Sequence, residues 1–256
     1  MSHLKILQSY AKRSPESFPA SILFGHSAKN ITIFDGFPKS KFHFLVLPRA
    51  SETDLSLSDL GSLHALLKAD KSKAKEVVAA LADDARGVRG DIEREMVKHY
   101  GFKWDVWTGF HAAPSMVHLH LHVLSADLCS DKLKHKKHYN SFHPKLGFFL
   151  HLDDVLSWFD AEPTYYEHMV SMKKLHLLIV LKEGLTCFHC YKEMKNIPIL
   201  KDHLQEEWDK LATKASRKRK RKGESADVAV PEEKGLSDQE KTLKRAKSEA
   251  TENVEA

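Results

Sequence analysis

The segment VHLHLHVL, residues 117–124, carries a histidine at every second position and an apolar residue at each position between. Successive side chains of a β-strand point to opposite faces, so an extended segment puts His118, His120 and His122 on one face. The other face is apolar and suits burial, with Val117, Leu119, Leu121 and Val123. We therefore predict a strand over residues 116–125. Its row of imidazoles faces a metal ion, a phosphate group, or no ligand at all.

The segments around this strand predict an α+β domain on an antiparallel sheet, because strands joined by short turns stand before and after a helical block. Residues 58–98 have helical periodicity, with a possible interruption at the two glycines of RGVRG (86–90). The other predicted elements are a helix over 1–13, strands within 21–37, 41–48 and 104–111, and a helix over 166–183.

Three units follow from the composition along the chain. We predict a main α+β domain over residues 1–165, a helix with a small cysteine-containing unit over 166–212, and a disordered tail over 213–256. The tail is assigned because the chain there has no aromatic residue and very few large apolar ones.

The apolar runs and the cysteines limit the cellular compartments in which we expect this chain. The longest apolar run, near residues 175–181, is too short to span a bilayer, so we expect no membrane partner. The first residues lack a continuous apolar stretch, which argues against a secretory signal and favours a surface helix over a transit peptide. Three cysteines, an odd number, indicate a reducing compartment in which thiols bind metal or stay free.

The net charge of +5 conceals an asymmetry. Residues 223–256 hold nine acids and five bases, which leaves about +9 on the preceding 222 residues. Residues 217–222 read RKRKRK, which is typical of a nuclear localisation signal or a nucleic-acid-binding arm, and both fit residence in the nucleus. A positive body predicts a polyanionic partner, without separating DNA from RNA.

The histidine row is compatible with two kinds of chemistry besides an ordinary half-exposed surface. Two histidines two positions apart can both bind zinc if a third ligand comes from elsewhere. A neutral imidazole can also attack phosphorus and form a covalent phosphohistidine, which divides one difficult displacement into two easier ones. Neighbouring imidazoles would then donate hydrogen bonds to the phosphate oxygens or protonate the leaving oxygen.

The segment HLHLHVL (118–124) matches the signature of the histidine triad superfamily. Three longer stretches resemble its aprataxin branch: GFHAAPSMVHLHLHVLS (109–125), DGFPKSKFHFLVLP (35–48) and KLKHKKHYNSFH (132–143). The resemblance covers about residues 1–211. It implies an enzyme that removes AMP from 5′-adenylated DNA ends, the products of abortive ligation, and restores a 5′ phosphate.

The resemblance also implies roles for individual residues. His120 would be the nucleophile, His118 and His122 would orient it and bind phosphate oxygens, and His111 would assist the leaving 5′ phosphate. Asp35 would bind the ribose hydroxyls, although Gly36 and Pro38 after it also suit a simple turn. The remaining substrate contacts would be made by Ser115, Lys39, Lys41 and His43. For phosphate contacts on DNA we select the basic residues Lys132, Lys134, Lys136, Lys137 and His138.

The segment CFHCYKEMKNIPILKDHLQEEW (187–208) has the spacing of a zinc finger. Cys187 and Cys190 are three positions apart, and His203 and Glu207 lie four apart on a predicted helix, so each pair can share a face. We predict one structural zinc per chain, with Glu207 in place of the usual second histidine. Two free cysteines are the alternative. Such a small unit needs the metal for a stable fold.

The leading hypothesis is a monomeric DNA 5′-adenylate hydrolase that binds nicked or broken DNA and AMP. Two alternatives remain open at this point: a histidine triad hydrolase of small nucleotide conjugates, and a non-catalytic zinc protein that binds DNA ends. The sequence does not identify the preferred end structure or the residue that stacks on the terminal base pair.

Overall fold

The structure, a computed structural model, describes residues 3–171 and 178–221. Its main sheet has six strands: β1 (Leu23–His26), β2 (Asn30–Phe34), β3 (His43–Pro48), β4 (Val106–His111), β5 (Leu121–Ser125) and β6 (Phe149–His151). Their order across the sheet is β1-β2-β3-β5-β4-β6, and every neighbouring pair is antiparallel. The predicted α+β class with an antiparallel sheet is confirmed.

The α-helices in the described residues are α1 (Ile6–Ala11), α2 (Leu63–Leu67), α3 (Lys71–Tyr100), α4 (Lys136–Asn140), α5 (Leu152–Phe159), α6 (Pro163–Val170) and α7 (Ile197–Arg221). None of the helices in these ranges is long and apolar enough to cross a membrane. The predicted interruption at 86–90 is wrong. Helix α3 continues through both glycines because buried Ala85, Val88 and Ile92 keep its apolar stripe on the sheet.

The two faces of the sheet carry different side chains. On one face Val46, Leu121 and Val123 are buried in a core shared with α3 and α5. On the other face the register places His43 opposite Leu124 and Leu45 opposite His122. The strand alternation that buries the apolar set therefore also gathers imidazoles at the centre of the opposite face.

A second unit follows the sheet in the chain. The short strands β7 (Leu185–Thr186) and β8 (Glu193–Met194) form a hairpin that precedes α7. Cys187 lies in a core that also contains Leu124 and Phe142. This unit therefore packs directly on the face of the sheet that carries His43 and His122.

Helix α7 also packs against the end of α3. The Trp208 ring lies 5.2 Å from the Tyr100 ring and 5.4 Å from the Trp104 ring, centroid to centroid. Arg219 Nη1 donates a hydrogen bond of 2.7 Å to the Gly101 carbonyl, at the C-terminus of α3. The prediction of a disordered tail from residue 213 is therefore wrong for 213–221, which continue α7. The rest of that tail, 222–256, lies outside the described residues.

The predicted boundary at residue 165 divides α6. The Tyr166 hydroxyl donates to the Leu67 carbonyl at 3.0 Å and its ring is buried in the α3 core, so the whole of α6 belongs to the first unit. Part of the helix predicted over 166–183 lies outside the described residues.

Candidate active site and metal centre

The chain bends before the histidine strand. His118 has φ 103°, a left-handed conformation that is uncommon outside glycine. The backbone N–H groups of His118 and Leu119 donate to the carbonyls of Gly61 (3.1 Å) and Leu60 (2.6 Å), not to a neighbouring strand. The prediction of one strand over 116–125 is therefore wrong for its first half, since β5 begins only at Leu121.

This bend fixes the tautomer of His120. The His120 Nδ1 atom lies 2.8 Å from the His118 carbonyl oxygen, which can only accept a hydrogen bond. Nδ1 therefore carries the proton, and Nε2 keeps the lone pair. His118 is itself held by a bond of 2.9 Å from its Nε2–H to the Pro48 carbonyl. The site thus contains a buried imidazole whose Nε2 is free to act as a nucleophile.

A chain of hydrogen bonds fixes the tautomer of His122 in the same way. The Lys39 backbone N–H donates to His43 Nδ1 at 3.1 Å, which puts the proton of His43 on Nε2. That Nε2–H donates to His122 Nδ1 at 2.9 Å, so the proton of His122 lies on its own Nε2. Among the described residues this Nε2–H is buried and has no partner. His122 is therefore a prepared hydrogen-bond donor, with its ring centroid 5.0 Å from that of His120.

His111 completes the group from the neighbouring strand β4. Its ring centroid lies 4.4 Å from that of His122 and 4.6 Å from that of Phe142. Its buried Nε2 also lacks a hydrogen-bond partner within the described part of the chain. Gly109, two positions earlier, pairs with His122, and a Cβ there would lie 2.5 Å from the Leu150 carbonyl oxygen. Only glycine allows β6 to approach this closely.

Burial keeps the imidazoles neutral. It lowers the pKa of His43 to about 4, against a smaller opposing effect of the Asp35 carboxylate, and it lowers the pKa of His118 to about 4. Burial also lowers the pKa of His120, and it brings the pKa values of His111 and His122 well below their ordinary range, with neighbouring imidazoles adding to the effect. At neutral pH the site therefore holds uncharged rings with defined protons.

These shifts predict a loss of stability in mild acid. A histidine whose folded pKa lies below its unfolded value stabilises the fold above the unfolded pKa, about 6.5, and this stability is lost as the pH falls toward the folded pKa. With folded pKa values of about 4, His43 and His118 would each contribute a loss on the order of 2 kcal/mol at pH 5. Urea unfolding at pH 7.5 and pH 5.0 measures the difference. Equal free energies of unfolding would contradict the buried, neutral imidazoles.

Asp35 serves both as a turn residue and as part of the site. Its Oδ1 accepts the Phe37 backbone N–H at 2.7 Å, as the turn alternative requires. Its Oδ2 lies 3.4 Å from His43 Nε2, and its side chain is largely buried. Lys39 lies close by, and burial lowers the pKa of its amine. The Asp35 carboxylate opposes this effect, and the charge of Lys132 adds to it. Of the sequence-predicted substrate residues, the structure brings Asp35, Lys39 and His43 to the imidazoles.

His43 does not lie at the surface, where a phosphate contact would need it. Its side chain is 1% exposed, behind His122. Lys41 is also separate from the imidazoles, since its Nζ lies 4.5 Å from the centroid of the Trp208 ring. Ser115 is exposed in the loop after β4.

The basic segment of residues 132–138 leads from the active site to the second unit. Lys132 is close enough to Lys39 to lower the pKa of the Lys39 amine. His138 is also close to Lys39, and burial followed by the Lys39 charge lowers the pKa of His138 to about 4. Lys136 Nζ donates to the Lys182 carbonyl at 3.2 Å. The other lysines selected from the sequence are exposed: Lys134 and Lys137.

Cys187, Cys190 and His203 form a cluster in which one ligand atom of each lies within 4.8 Å of the others. Cys190 Sγ is 3.2 Å from His203 Nε2. Glu207 lies one helical turn after His203, with its Oε1 3.8 Å from His203 Nε2 and 2.7 Å from Lys210 Nζ. Two thiols and an imidazole at this spacing are the donors that zinc prefers.

A second group, Asp35, His43 and His122, also has the composition of a metal site. The proton positions argue against that use. Lys39 N–H occupies the lone pair of His43 Nδ1, so Nε2 carries hydrogen and directs it to His122. The 2.9 Å separation of the two nitrogens is a hydrogen-bond length, shorter than two ligands around one zinc adopt.

Comparisons with known proteins agree with this geometry. Residues 6–138 match the family model described as scavenger mRNA decapping enzyme C-term binding, and residues 145–210 match the C2HE / C2H2 / C2HC zinc-binding finger. An aprataxin-like protein of Schizosaccharomyces pombe is 30% identical over 201 residues, which cover 77% of this chain and 78% of the relative. The chain belongs to the aprataxin family.

Two further relatives show the extent of the match. Zebrafish (Danio rerio) aprataxin is 35% identical over 175 residues, 68% of this chain but 46% of the relative, so the chain spans about half the length of that protein. A crystal structure of the aprataxin orthologue Hnt3 in complex with DNA has a TM-score of 0.63 and 28% identity, and the match covers 84% of this chain and 100% of the other.

The sequence did not indicate two aromatic residues that stand out in this aprataxin-family site. Phe37 is 53% exposed on the turn that Asp35 forms, next to Lys39. Phe142 is buried against His43, His111 and His122. Phe37 could have been selected from the sequence, because it is an aromatic residue within the DGFPK turn. No local pattern indicated Phe142, because its partners come from three different strands.

Proposed function

We propose that this chain removes AMP from 5′-adenylated DNA ends, with His120 as the nucleophile. The observation that carries the proposal is the pair of fixed tautomers: His120 presents a lone pair on Nε2, and His122 presents a proton on its Nε2. A nucleophile beside a preformed hydrogen-bond donor is what attack on a charged phosphoryl group requires.

In the first step His120 Nε2 attacks the phosphorus of the adenylate. The new N–P bond forms as the P–O bond to the DNA 5′ phosphate breaks, and the bonding electrons leave with the phosphate oxygen. The positive charge that develops on the His120 ring is stabilised by the bond from Nδ1–H to the His118 carbonyl. The Nε2–H of His122 binds a phosphoryl oxygen, and His111 assists the leaving phosphate.

In the second step the oxygen of a water molecule bonds to the same phosphorus as the N–P bond breaks. One water proton is released to solvent and the other stays on the phosphate of AMP. AMP leaves, and His120 Nε2 regains its lone pair. Asp35 binds the ribose hydroxyls with the carboxylate oxygen that does not serve the turn. Lys39 and Ser115 contribute to phosphate binding. Since burial lowers the pKa of His120, its ring is neutral and nucleophilic at the start of each cycle at neutral pH.

The charges beside the site favour a DNA end over a small nucleotide conjugate. Lys39 and Lys132 lie close enough to interact, and the basic segment continues from them through exposed Lys134 and Lys137. A polyanion that extends beyond the scissile bond would contact these cations, whereas a small conjugate would not reach them. The related Hnt3 structure is a complex with DNA, which supports the same assignment.

Phe37 is exposed on the turn beside the active site, and its ring suits stacking on a terminal base.

We also propose that the finger holds one zinc ion per chain. Cys187, Cys190 and His203 supply three donors, and Glu207 supplies the fourth from the next turn of α7. The metal would fix the β7–β8 hairpin to α7.

We further propose a monomer with a catalytic unit and a finger unit, located in the nucleus because of the basic run 217–222. Imaging of the full chain in cells would show nuclear exclusion if that localisation is wrong.

The predicted activity is AMP release from an adenylated nicked duplex, at least 100-fold more efficient in kcat/KM than release from a small AMP conjugate. The reason is that the basic segment contributes binding energy only to the duplex. Both substrates are assayed with chelator at a concentration at which metal analysis shows that the finger keeps its zinc. Cleavage that persists with chelator excludes a catalytic metal at the triad. The reverse preference would favour a hydrolase of small conjugates.

Lys137→Ala provides the matched test of the DNA contact. We expect a higher KM for the duplex, a weaker dependence on salt, and an unchanged rate on the small conjugate. If the parent protein binds DNA ends but releases no AMP from either substrate, the chain is a binding module and the proposed reaction is wrong.

A further inference from the structure

The segment of residues 139–143 lies between the finger and the imidazoles. At one end Tyr139 is fully buried, and its hydroxyl donates to the Thr186 carbonyl at 2.7 Å and accepts the Phe188 N–H at 3.0 Å. These two backbone groups belong to the residues on either side of Cys187. One phenol therefore holds the backbone that presents a metal ligand.

At the other end of the segment Phe142 packs among the imidazoles. Its ring centroid lies 4.6 Å from His111, 5.3 Å from His122 and 5.5 Å from His43. A backbone bond of 3.0 Å from the Phe142 N–H to the Tyr139 carbonyl joins the two ends. Both rings belong to one buried cluster, which also contains Cys187.

Two polar side chains reinforce the segment. Asn140 Nδ2 donates to the carbonyls of Leu181 and Glu183, at 3.3 Å and 3.0 Å. His143 accepts the Lys145 N–H at its Nδ1, so its proton lies on Nε2, 3.4 Å from the Thr186 hydroxyl. The segment is thus fixed to the backbone around the finger by several independent bonds.

We propose that residues 139–143 form a positioning link, in which the metal-bound state of the finger sets the arrangement of the active-site imidazoles through Tyr139 and Phe142. The inference rests on the proposed function, for which Phe142 is a positioning residue whose ring packs on His43, His111 and His122. Protein interiors are close-packed, so a displaced backbone at Cys187 moves the rings that pack on it. A misplacement of about 1 Å at reacting groups costs about 100-fold in rate.

The test compares two pairs of variants that make the same chemical change in different places. Tyr139→Phe removes the hydroxyl at the link, and Tyr166→Phe removes one whose bond to the Leu67 carbonyl lies in the α3 core. Phe142→Leu and Phe159→Leu form the second pair, because Phe159 is equally buried but packs on the opposite face of the sheet. Zinc retention is measured against a competing chelator. Imidazole ¹⁵N spectra are recorded with and without zinc, and kcat and KM are measured on the adenylated duplex.

We expect Tyr139→Phe to bind zinc about tenfold more weakly, as is typical when a group that orients a ligand is lost. Phe142→Leu should shift the imidazole resonances of His111 and His122 and lower kcat about tenfold, with KM changed by less than twofold. Removal of zinc from the parent protein should shift the same resonances. Tyr166→Phe and Phe159→Leu should change stability alone.

The proposal is overturned if zinc removal leaves those resonances in place, if Tyr139→Phe binds zinc as tightly as Tyr166→Phe does, or if Phe142→Leu lowers kcat no more than Phe159→Leu does. If Tyr139→Phe does not fold, Phe142→Leu and the zinc titration of the parent protein still decide the outcome. If the parent protein releases no AMP, the proposed function fails, but the imidazole spectra still test the link independently.

Discussion

Replacing His120 with alanine is expected to lower kcat for AMP release by a factor on the order of 10⁴ to 10⁶, because the variant lacks the nitrogen that forms the covalent bond in the proposed reaction. Binding of the adenylated duplex should change by less than threefold, since the lysines beside the site remain. Single-turnover assays and a binding titration on the same nicked duplex measure the two quantities separately.

His26→Ala is the matched control, because His26 is exposed at the end of β1, away from the imidazoles. It should retain the activity of the parent protein. If His120→Ala keeps more than about one hundredth of the parent kcat, the nucleophile is another group and the proposed first step is wrong.

The second large effect is expected from Cys187→Ser, which removes the buried thiol of the metal cluster. The parent protein should contain one zinc per chain and the variant none. At a free zinc concentration about 1,000 times Kd, binding contributes about 4 kcal/mol to the free energy of unfolding, and the variant loses that contribution. A shift of Tm by about 10 °C follows for a domain of this size. Metal analysis and thermal unfolding provide the measurements.

Cys129→Ser makes the same substitution outside the cluster. Cys129 is half-buried, its Sγ donates to the Asp127 carbonyl, and burial, reinforced by the Asp127 charge, raises the pKa of its thiol to about 12. Cys129 is not among the clustered donors Cys187, Cys190 and His203. This variant should therefore keep its metal. Glu207→Ala should weaken zinc binding without abolishing it, and a purified, folded parent protein that contains no zinc would contradict the finger.

The sequence predicted the antiparallel sheet, the row of histidines and the cysteine-containing finger, because these depend on short-range patterns. The apolar-rich runs at residues 43–48 and 121–125 give buried strands, and the spacing of Cys187 and Cys190 is local. The same reasoning failed at His118, where the alternation continues but the backbone does not. The N–H groups there pair with the loop at Leu60 and Gly61, and no pattern in 116–120 shows that contact.

The prediction of disorder for residues 213–221 was the second error, and its reason is similar. Its composition predicts disorder when residues 213–221 are considered alone. In the structure the helix that carries His203 continues into this run, and Arg219 binds the carbonyl at the end of α3. Trp208 anchors the same helix on Tyr100 and Trp104. Tertiary contacts of this kind override local propensity.

The role of His43 also depended on tertiary structure. From the sequence it was one of several basic residues near a phosphate. Its position opposite Leu124 in the sheet puts it behind His122, where it determines the tautomer of that ring. A proton position depends on hydrogen bonds between strands that are 79 residues apart, so no local motif encodes it.

The most direct test of the central claim is to stop the reaction during turnover on an adenylated nicked duplex and locate AMP on the protein by mass spectrometry. The account predicts an adenylyl group on Nε2 of His120, which disappears on further incubation as AMP is released. An adenylyl group on another side chain, or AMP release with no adduct at any time point, would contradict it.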